Sequence, residues 1–294
     1  MTTPTTPATT QTTQTTQTTQ TSQTSQTTAE LSAAVTDIVG RVRAESPLVQ
    51  CITNFVSMDL AANVLNAVGA SPAMVHDARE SGEFAAIASA LCVNIGTPSP
   101  SWAEGMTAAV QGAVAAGTPW VLDPVAVGAT AYRRDLVAGL LEHRPAVIRG
   151  NAGEIMAIAT VGNAGRGGDS LASSDEAVDA ARQVAERYAA IVVVSGRVDV
   201  VTDGTRVARL HGGDGRMPMI TALGCSASAL VGATLGVAGE RPFEAALAAM
   251  AILAVAGERA GARADGPGSL RVALLDELAA LDAERMGSAR IERS

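Results

Sequence analysis

The chain has 294 residues, 47% hydrophobic and 2% aromatic, which suits one sizeable α/β domain with an aliphatic core. Its formal net charge is −8 and it has no basic run, which excludes nucleic acid as the main partner. All 21 basic residues are arginine, so neither the lysine of a P-loop nor the Schiff-base lysine of a pyridoxal-phosphate enzyme is available.

Residues 1–28 are almost only Thr, Gln, Ser, Pro and Ala, with a glutamine at every third position from Gln11 to Gln26. Such a segment cannot bury enough apolar surface to offset the entropy of ordering, and a disordered tail is expected. The tail has no apolar core of a signal peptide, and no run approaches the roughly 18 apolar residues of a membrane span. Cys51, Cys92 and Cys225 are far apart and form no C-x-x-C pair, so neither a disulfide framework nor a zinc site is expected. A cytoplasmic location is the simplest setting, with no membrane partner.

Order begins near Ala29. Leu31, Val35, Ile38, Val39 and Val42 lie at helical spacing and predict a helix to about residue 44. A buried strand over 48–53 follows and closes on Asn54. Next come a helix over 58–68 and a turn with a short strand at 69–75, which contains Met74. Helices over 84–90, 102–116 and 135–141 then alternate with apolar strands over 91–97, 119–124 and 146–151. Apolar strands alternating with helices predict a mostly parallel sheet covered on both faces. Ligands of such sheets bind beyond the carboxyl ends of the strands. Polar residues gather there: Asn54, Asn94, Thr97, Asp123, Arg149, Asn151 and Ser195.

Glycines between residues 162 and 168 do not fit a dinucleotide-binding turn and read as a flexible loop. A helix over 175–188 and a strand over 191–196 lead into short strands at 199–202 and 206–210, joined at Asp203-Gly204 as a meander. Thr221-Ala222-Leu223-Gly224-Cys225-Ser226 then reads as a tight turn that becomes a helix at about Gly224. The first N–H groups of that helix, with its dipole, form an anion site. Cys225 stands at its mouth, either as a thiol with a lowered pKa or as a small packed residue. Helices over 242–259 and 269–284 close the chain.

These motifs together resemble the hydroxyethylthiazole kinase family of the ribokinase-like superfamily. The resemblance is carried by Cys51-Ile52-Thr53-Asn54, Gly69-Ala70-Ser71-Pro72-Ala73-Met74, Asn94-Ile95-Gly96-Thr97, Leu122-Asp123-Pro124-Val125, Ile148-Arg149-Gly150-Asn151-Ala152-Gly153-Glu154, Ser195-Gly196 and Gly224-Cys225. They fall in order across residues 30–285. The resemblance implies a three-layer α/β/α fold without a separate lid, over a single domain at 29–294. It implies ATP- and Mg²⁺-dependent phosphorylation of the hydroxyethyl alcohol of the thiazole half of thiamine. It also implies a homotrimer with active sites between subunits.

Each site residue then has an expected role. Cys225 is the catalytic candidate, as base or orienting group, with the Gly224 N–H and Arg149 facing ATP phosphates and Ser195 matching a family hydroxyl that contacts ATP. Met74, Asn54, Gly96 and Ala222 are expected at the thiazole. Glu154 and Asp123 are expected at Mg²⁺, though a carboxylate in a helix first turn or at a strand end equally caps a turn or loop. Ala222 departs from the family, which has glycine there. A position needing positive φ would charge that Cβ about 1 kcal/mol. The alternatives are a kinase for another hydroxymethyl heterocycle, or a weakly active relative that binds thiazole or nucleotide. A thiol-redox protein lacks a resolving cysteine near Cys225.

Overall fold

The computed structural model describes Met1 and residues 12–160 and 174–293, with backbone alone over 12–27 and 174–176. The glycine-rich loop expected near 162–170 lies outside these residues, as does the expected tail over residues 2–11. The described strands form one nine-stranded sheet. Its strands are β1 (Leu48–Ile52), β2 (Ser71–Ala73), β3 (Ala90–Asn94), β4 (Trp120–Asp123), β5 (Val147–Asn151), β6 (Ile191–Ser195), β7 (Asp199–Thr202), β8 (Val207–His211) and β9 (Arg290–Arg293), in the order β2-β1-β3-β4-β5-β6-β7-β8-β9. The first six in this order are parallel and the last three join antiparallel. No second sheet forms a lid among the described residues.

Successive side chains of a strand point to opposite faces, and here both faces are covered. Cys92, Val121, Val147 and Val193 pack with the helices α1 (Thr12–Glu45), α2 (Met58–Val68), α8 (Leu223–Ala238), α9 (Pro242–Gly261) and α10 (Pro267–Ala279). Leu91, Val93, Leu122, Ile148 and Val192 pack the other way, against α3 (Ser81–Ile87), α4 (Pro100–Ala116), α5 (Ala131–Leu141), α6 (Ala152–Thr160) and α7 (Ser174–Tyr188). The result is the three-layer α/β/α fold that continuous apolar strands require.

The elements differ from the sequence expectation mainly at their ends. The first helix starts at Thr12 rather than near residue 29, while the described side chains that it buries begin at Leu31. Once an anchored segment is helical, each added residue brings one hydrogen bond, so polar composition alone does not end the helix. The last predicted helix divides into α10 and a single turn, α11 (Ala283–Met286). Beyond it β9 pairs with β8, although Arg290-Ile291-Glu292-Arg293 buries only Ile291. One apolar residue in four gives no alternation to read.

Helix α8 lies directly against the sheet. Its Gly232 permits this approach, because a Cβ there would come within 3.0 Å of the Val49 side chain. The helix N-terminus is thereby carried to the carboxyl ends of β1, β3, β4 and β5.

Candidate active site

Ala222 precedes α8 in the left-handed conformation, at φ 70° and ψ 3°, and supplies no side-chain cap. The Leu223 N–H turns back to the Ile220 carbonyl at 3.2 Å, and the first helical bond is Ser226 N–H to Ala222 O at 2.9 Å. The N–H groups of Gly224 and Cys225 therefore have no acceptor within the helix, and they carry its partial positive charge. Arg149 of β5 reaches the same point. Its Nη1 donates to the Gly224 carbonyl at 2.9 Å. The side chain is 8% exposed and its buried Nε has no partner among the described residues. A buried guanidinium with a spare donor, beside an uncapped helix start, makes a strong field for an anion.

A row of polar side chains runs from this helix across three strand ends. Asn54, just past β1, donates from Nδ2 to Cys225 Sγ at 3.3 Å and to Asn94 Oδ1 at 2.8 Å. Asn94, ending β3, donates to Asp123 Oδ2 at 2.6 Å. Asp123, ending β4, also accepts the Ser228 hydroxyl of α8 at 2.7 Å. Burial pushes the Asp123 carboxyl up to about 6, against the pull of Arg149, Ser228 and Asn94, and the charge of Glu154 raises it further.

The Cys225 thiol corrects one expectation. Burial raises its pKa, the Asp123 charge adds to that, and hydrogen bonds from Asn54 and Asn94 with the Arg149 charge only partly oppose it. The thiol is thus shifted up, not down. Cys225 sits among packed side chains next to a carboxylate, and that outweighs the stabilisation of a thiolate by nearby donors.

Glu154 closes a capping box on α6. Its Oε2 accepts the Asn151 N–H at 2.8 Å, while Asn151 Oδ1 accepts the Glu154 N–H at 2.9 Å. Its Oε1 accepts the Ala126 N–H at 2.9 Å and so ties the loop after β4 to the turn after β5. The carbonyl of that same Val125–Ala126 peptide accepts from Arg133 Nη1 at 2.8 Å. Arg133 also binds the carbonyls of Ile95 at 2.7 Å and Gly96 at 2.8 Å. One guanidinium thus holds the loops after β3 and β4 together. Sequence reading missed Arg133, because an arginine in a helix first turn carries no motif. The sequence places Asn94 at a polar strand end and in the Asn94–Thr97 motif but gives it no role, and it gives Ser228 none. The signal for both was their position opposite Asp123, which no spacing gives.

The remaining candidates are distributed around this centre. Gly96 donates its N–H to Asn94 Oδ1 at 2.9 Å, and a Cβ there would overlap the Asn54 amide. Ser195 ends β6 beside Asn151 and donates to the Gly150 carbonyl at 3.3 Å. Met74 follows the edge strand β2 and packs, partly buried, against the core on the α8 face of the sheet. Among the described residues no group of three His, Cys, Asp or Glu could hold a metal ion, and no helix is long and apolar enough to cross a membrane.

Comparison with known proteins agrees with this geometry. The sequence profile of the Hydroxyethylthiazole kinase family matches residues 39–284. The chain belongs to the hydroxyethylthiazole kinase family. It is a phosphotransferase with an alcohol group as acceptor. The hydroxyethylthiazole kinase of Cereibacter sphaeroides (strain ATCC 17029) is 58% identical over 252 residues, which cover 85% of this chain and 95% of that protein. That of Rhizobium johnstonii is 56% identical over 245 residues, covering 83% and 92%. The structure of the Pyrococcus horikoshii hydroxyethylthiazole kinase superposes with a TM-score of 0.82 at 34% identity, over 88% of this chain and 98% of that one. A Staphylococcus aureus pyridoxal kinase bound to AMP-PCP and pyridoxal matches at a TM-score of 0.56 and 17% identity, covering 72% and 88%, a likeness of fold alone.

Proposed function

We propose that the chain transfers the γ-phosphoryl group of ATP to the hydroxyl of 4-methyl-5-(2-hydroxyethyl)thiazole in thiamine biosynthesis or salvage. The observation that carries this reading is the uncapped start of α8 facing Arg149. Phosphoryl transfer is mainly positioning and neutralisation of equatorial oxygens, and backbone N–H groups of Gly224 and Cys225 with a buried guanidinium supply both. The transferring group sits at that helix start, and the alcohol oxygen lies next to Cys225. A loose transition state asks little base strength, which suits a thiol whose pKa is raised. Cys225 therefore orients the alcohol rather than acting as an obligatory base. Ser195 and Arg149 serve the ATP side; Met74 and Ala222 border the thiazole.

Mg²⁺ is the cation this reading requires. Such ions usually take one or two carboxylates and complete their shell with phosphates and water, so no three-carboxylate cluster is needed. Asp123 and Glu154 fit: the charge of one raises the pKa of the other, and a cation relieves that repulsion. When bound, the ion would neutralise phosphate charge. The chain works as a cytoplasmic homotrimer, with exposed Phe55 and Val56 beside Asn54 meeting a neighbouring subunit. The domain spans 29–294, and residues 1–28 contribute nothing to catalysis; the family match beginning at residue 39 supports this.

The deciding assay is ADP release with hydroxyethylthiazole, with and without Mg²⁺, beside controls lacking the thiazole or given hydroxymethylpyrimidine. Turnover that depends on the thiazole and on Mg²⁺, lost in Glu154→Gln, is expected. Turnover only with the pyrimidine would replace the substrate, and thiazole binding without turnover would replace the enzyme with a binding protein.

A further inference from the structure

Asn54 has no hydrogen-bonding capacity left for a substrate. Its Oδ1 accepts the N–H groups of Val56 and Ser57, both at 3.1 Å. A backbone N–H can only donate, so this end of the amide is the oxygen and the other end is the NH₂ group. Its two hydrogens go to Asn94 Oδ1 and Cys225 Sγ. Both lone pairs and both hydrogens are in use, and the residue is 4% exposed. Asn94 is fixed by the same logic: its Oδ1 accepts the Gly96 N–H, which leaves its NH₂ group for Asp123 and, as a second donor beside Asn54, for Cys225. Backbone donors at three positions thus fix the orientation of both amides in the row.

The row ends on a sulfur that accepts. A thiol carries one hydrogen, and with Asn54 donating to the sulfur that hydrogen has to point elsewhere. Cys225 is only partly buried, so it has an open side. Gly96 belongs to the same device, because any side chain there would displace the Asn54 amide.

We propose that Asn54 is a positioning residue for Cys225: its Nδ2–H occupies a sulfur lone pair and turns the thiol hydrogen toward the acceptor alcohol, with Gly96 leaving the room. This reassigns Asn54 and Gly96 from thiazole contact to control of the thiol, and it rests on the reading of Cys225 as part of the phosphoryl-transfer site.

The test is a double-mutant cycle. Asn54→Asp keeps both acceptor roles but puts a charged carboxylate oxygen where the donors were, so the charge-neutral Gly96→Ala is measured beside it. Relative to the unmodified enzyme, kcat with ATP and hydroxyethylthiazole is expected to fall about tenfold, with KM changed less than about twofold. In a Cys225→Ala background the same substitution is expected to change kcat less than about twofold. Gly96→Ala displaces the amide without altering Asn54, and it serves if the aspartate variant does not fold. A second arm needs no turnover: Cys225 alkylation by iodoacetamide, followed by mass spectrometry, slows in Gly96→Ala, which adds no charge, as well as in Asn54→Asp. Cys51 and Cys92, at 0% and 1% exposed, stay silent. An equal fall in kcat with and without Cys225, a rise in KM in its place, or unchanged alkylation overturns the proposal. Absence of turnover in the unmodified protein would sink the kinase reading, and the alkylation arm would still decide this one.

Discussion

Ala222 holds φ 70° at the start of α8, where the family resemblance leads one to expect glycine. An L-residue in that region costs roughly 1–2 kcal/mol, but glycine would lose about 0.5–1 kcal/mol more backbone entropy on folding. The two terms nearly cancel. Ala222→Gly is therefore expected to shift stability by less than about 1 kcal/mol, whereas Ala222→Val, β-branched and pressed against the core, should cost more than about 2 kcal/mol. Chemical denaturation of the two variants checks this; a strongly stabilised glycine variant would mean that the strain is larger than a single αL residue carries. At Arg149 the burial of the guanidinium makes the outcome asymmetric. Arg149→Met removes the charge bound to the Gly224 carbonyl, so KM for ATP should rise at least about tenfold while the thiazole KM moves little. Equal changes in both constants would remove Arg149 from the ATP side.

Helices α9 and α10 are joined by a clamp that tests electrostatics away from the site. Glu277 of α10 is 5% exposed at its side chain and binds Arg259 at 2.8 Å and Arg263 at 2.6 Å. Burial pushes its carboxyl pKa up, yet the two arginines outweigh it and hold the pKa below the ordinary 4.5. A depressed carboxylate pKa means stability that is complete above the unfolded value and is lost as pH falls through the folded one. Glu277→Gln should cost about 1–2 kcal/mol at pH 7, discounted because both arginines are largely solvated. That gap should close as pH falls from the ordinary 4.5 through the lowered folded value, which thermal melts across pH would show. A gap independent of pH would mean that packing, not charge, makes the clamp. The loops at the other end of the sheet depend on Arg133 in the same way. It binds three carbonyls, so Arg133→Lys, with one compact cation, keeps the charge and loses the span.

For the molecule as a whole, oligomeric state is the open property that the surface addresses. Phe55 is 70% and Val56 59% exposed, side by side at the sheet end that carries Asn54. These two exposed apolar side chains are where we propose the subunit contact. Light scattering on the purified protein should give three times the 29.6 kDa chain mass; a monomer would refute the trimer. Deleting residues 1–28 should leave both the assembly and kcat unchanged, because the described side chains that α1 buries begin at Leu31.

The alternation of apolar strands and helices fixed the layers and the parallel sheet, since strands buried on both faces must be apolar throughout. Seven short motifs in register led to the family before any coordinate was known. The uncapped start of α8 was equally legible, because a helix start exposes its N–H groups whatever surrounds it. Tertiary structure alone decided the rest. It raised the Cys225 pKa, because burial beside Asp123 depends on which strands meet. It gave Glu154 two backbone N–H partners, one of them from a loop 28 residues away. It also set the two donations of the Asn54 amide, to Asn94 and to Cys225, the second across 171 residues of sequence. Local spacing encodes elements, while hydrogen-bond valence at a site is filled by residues that only folding brings within 3 Å.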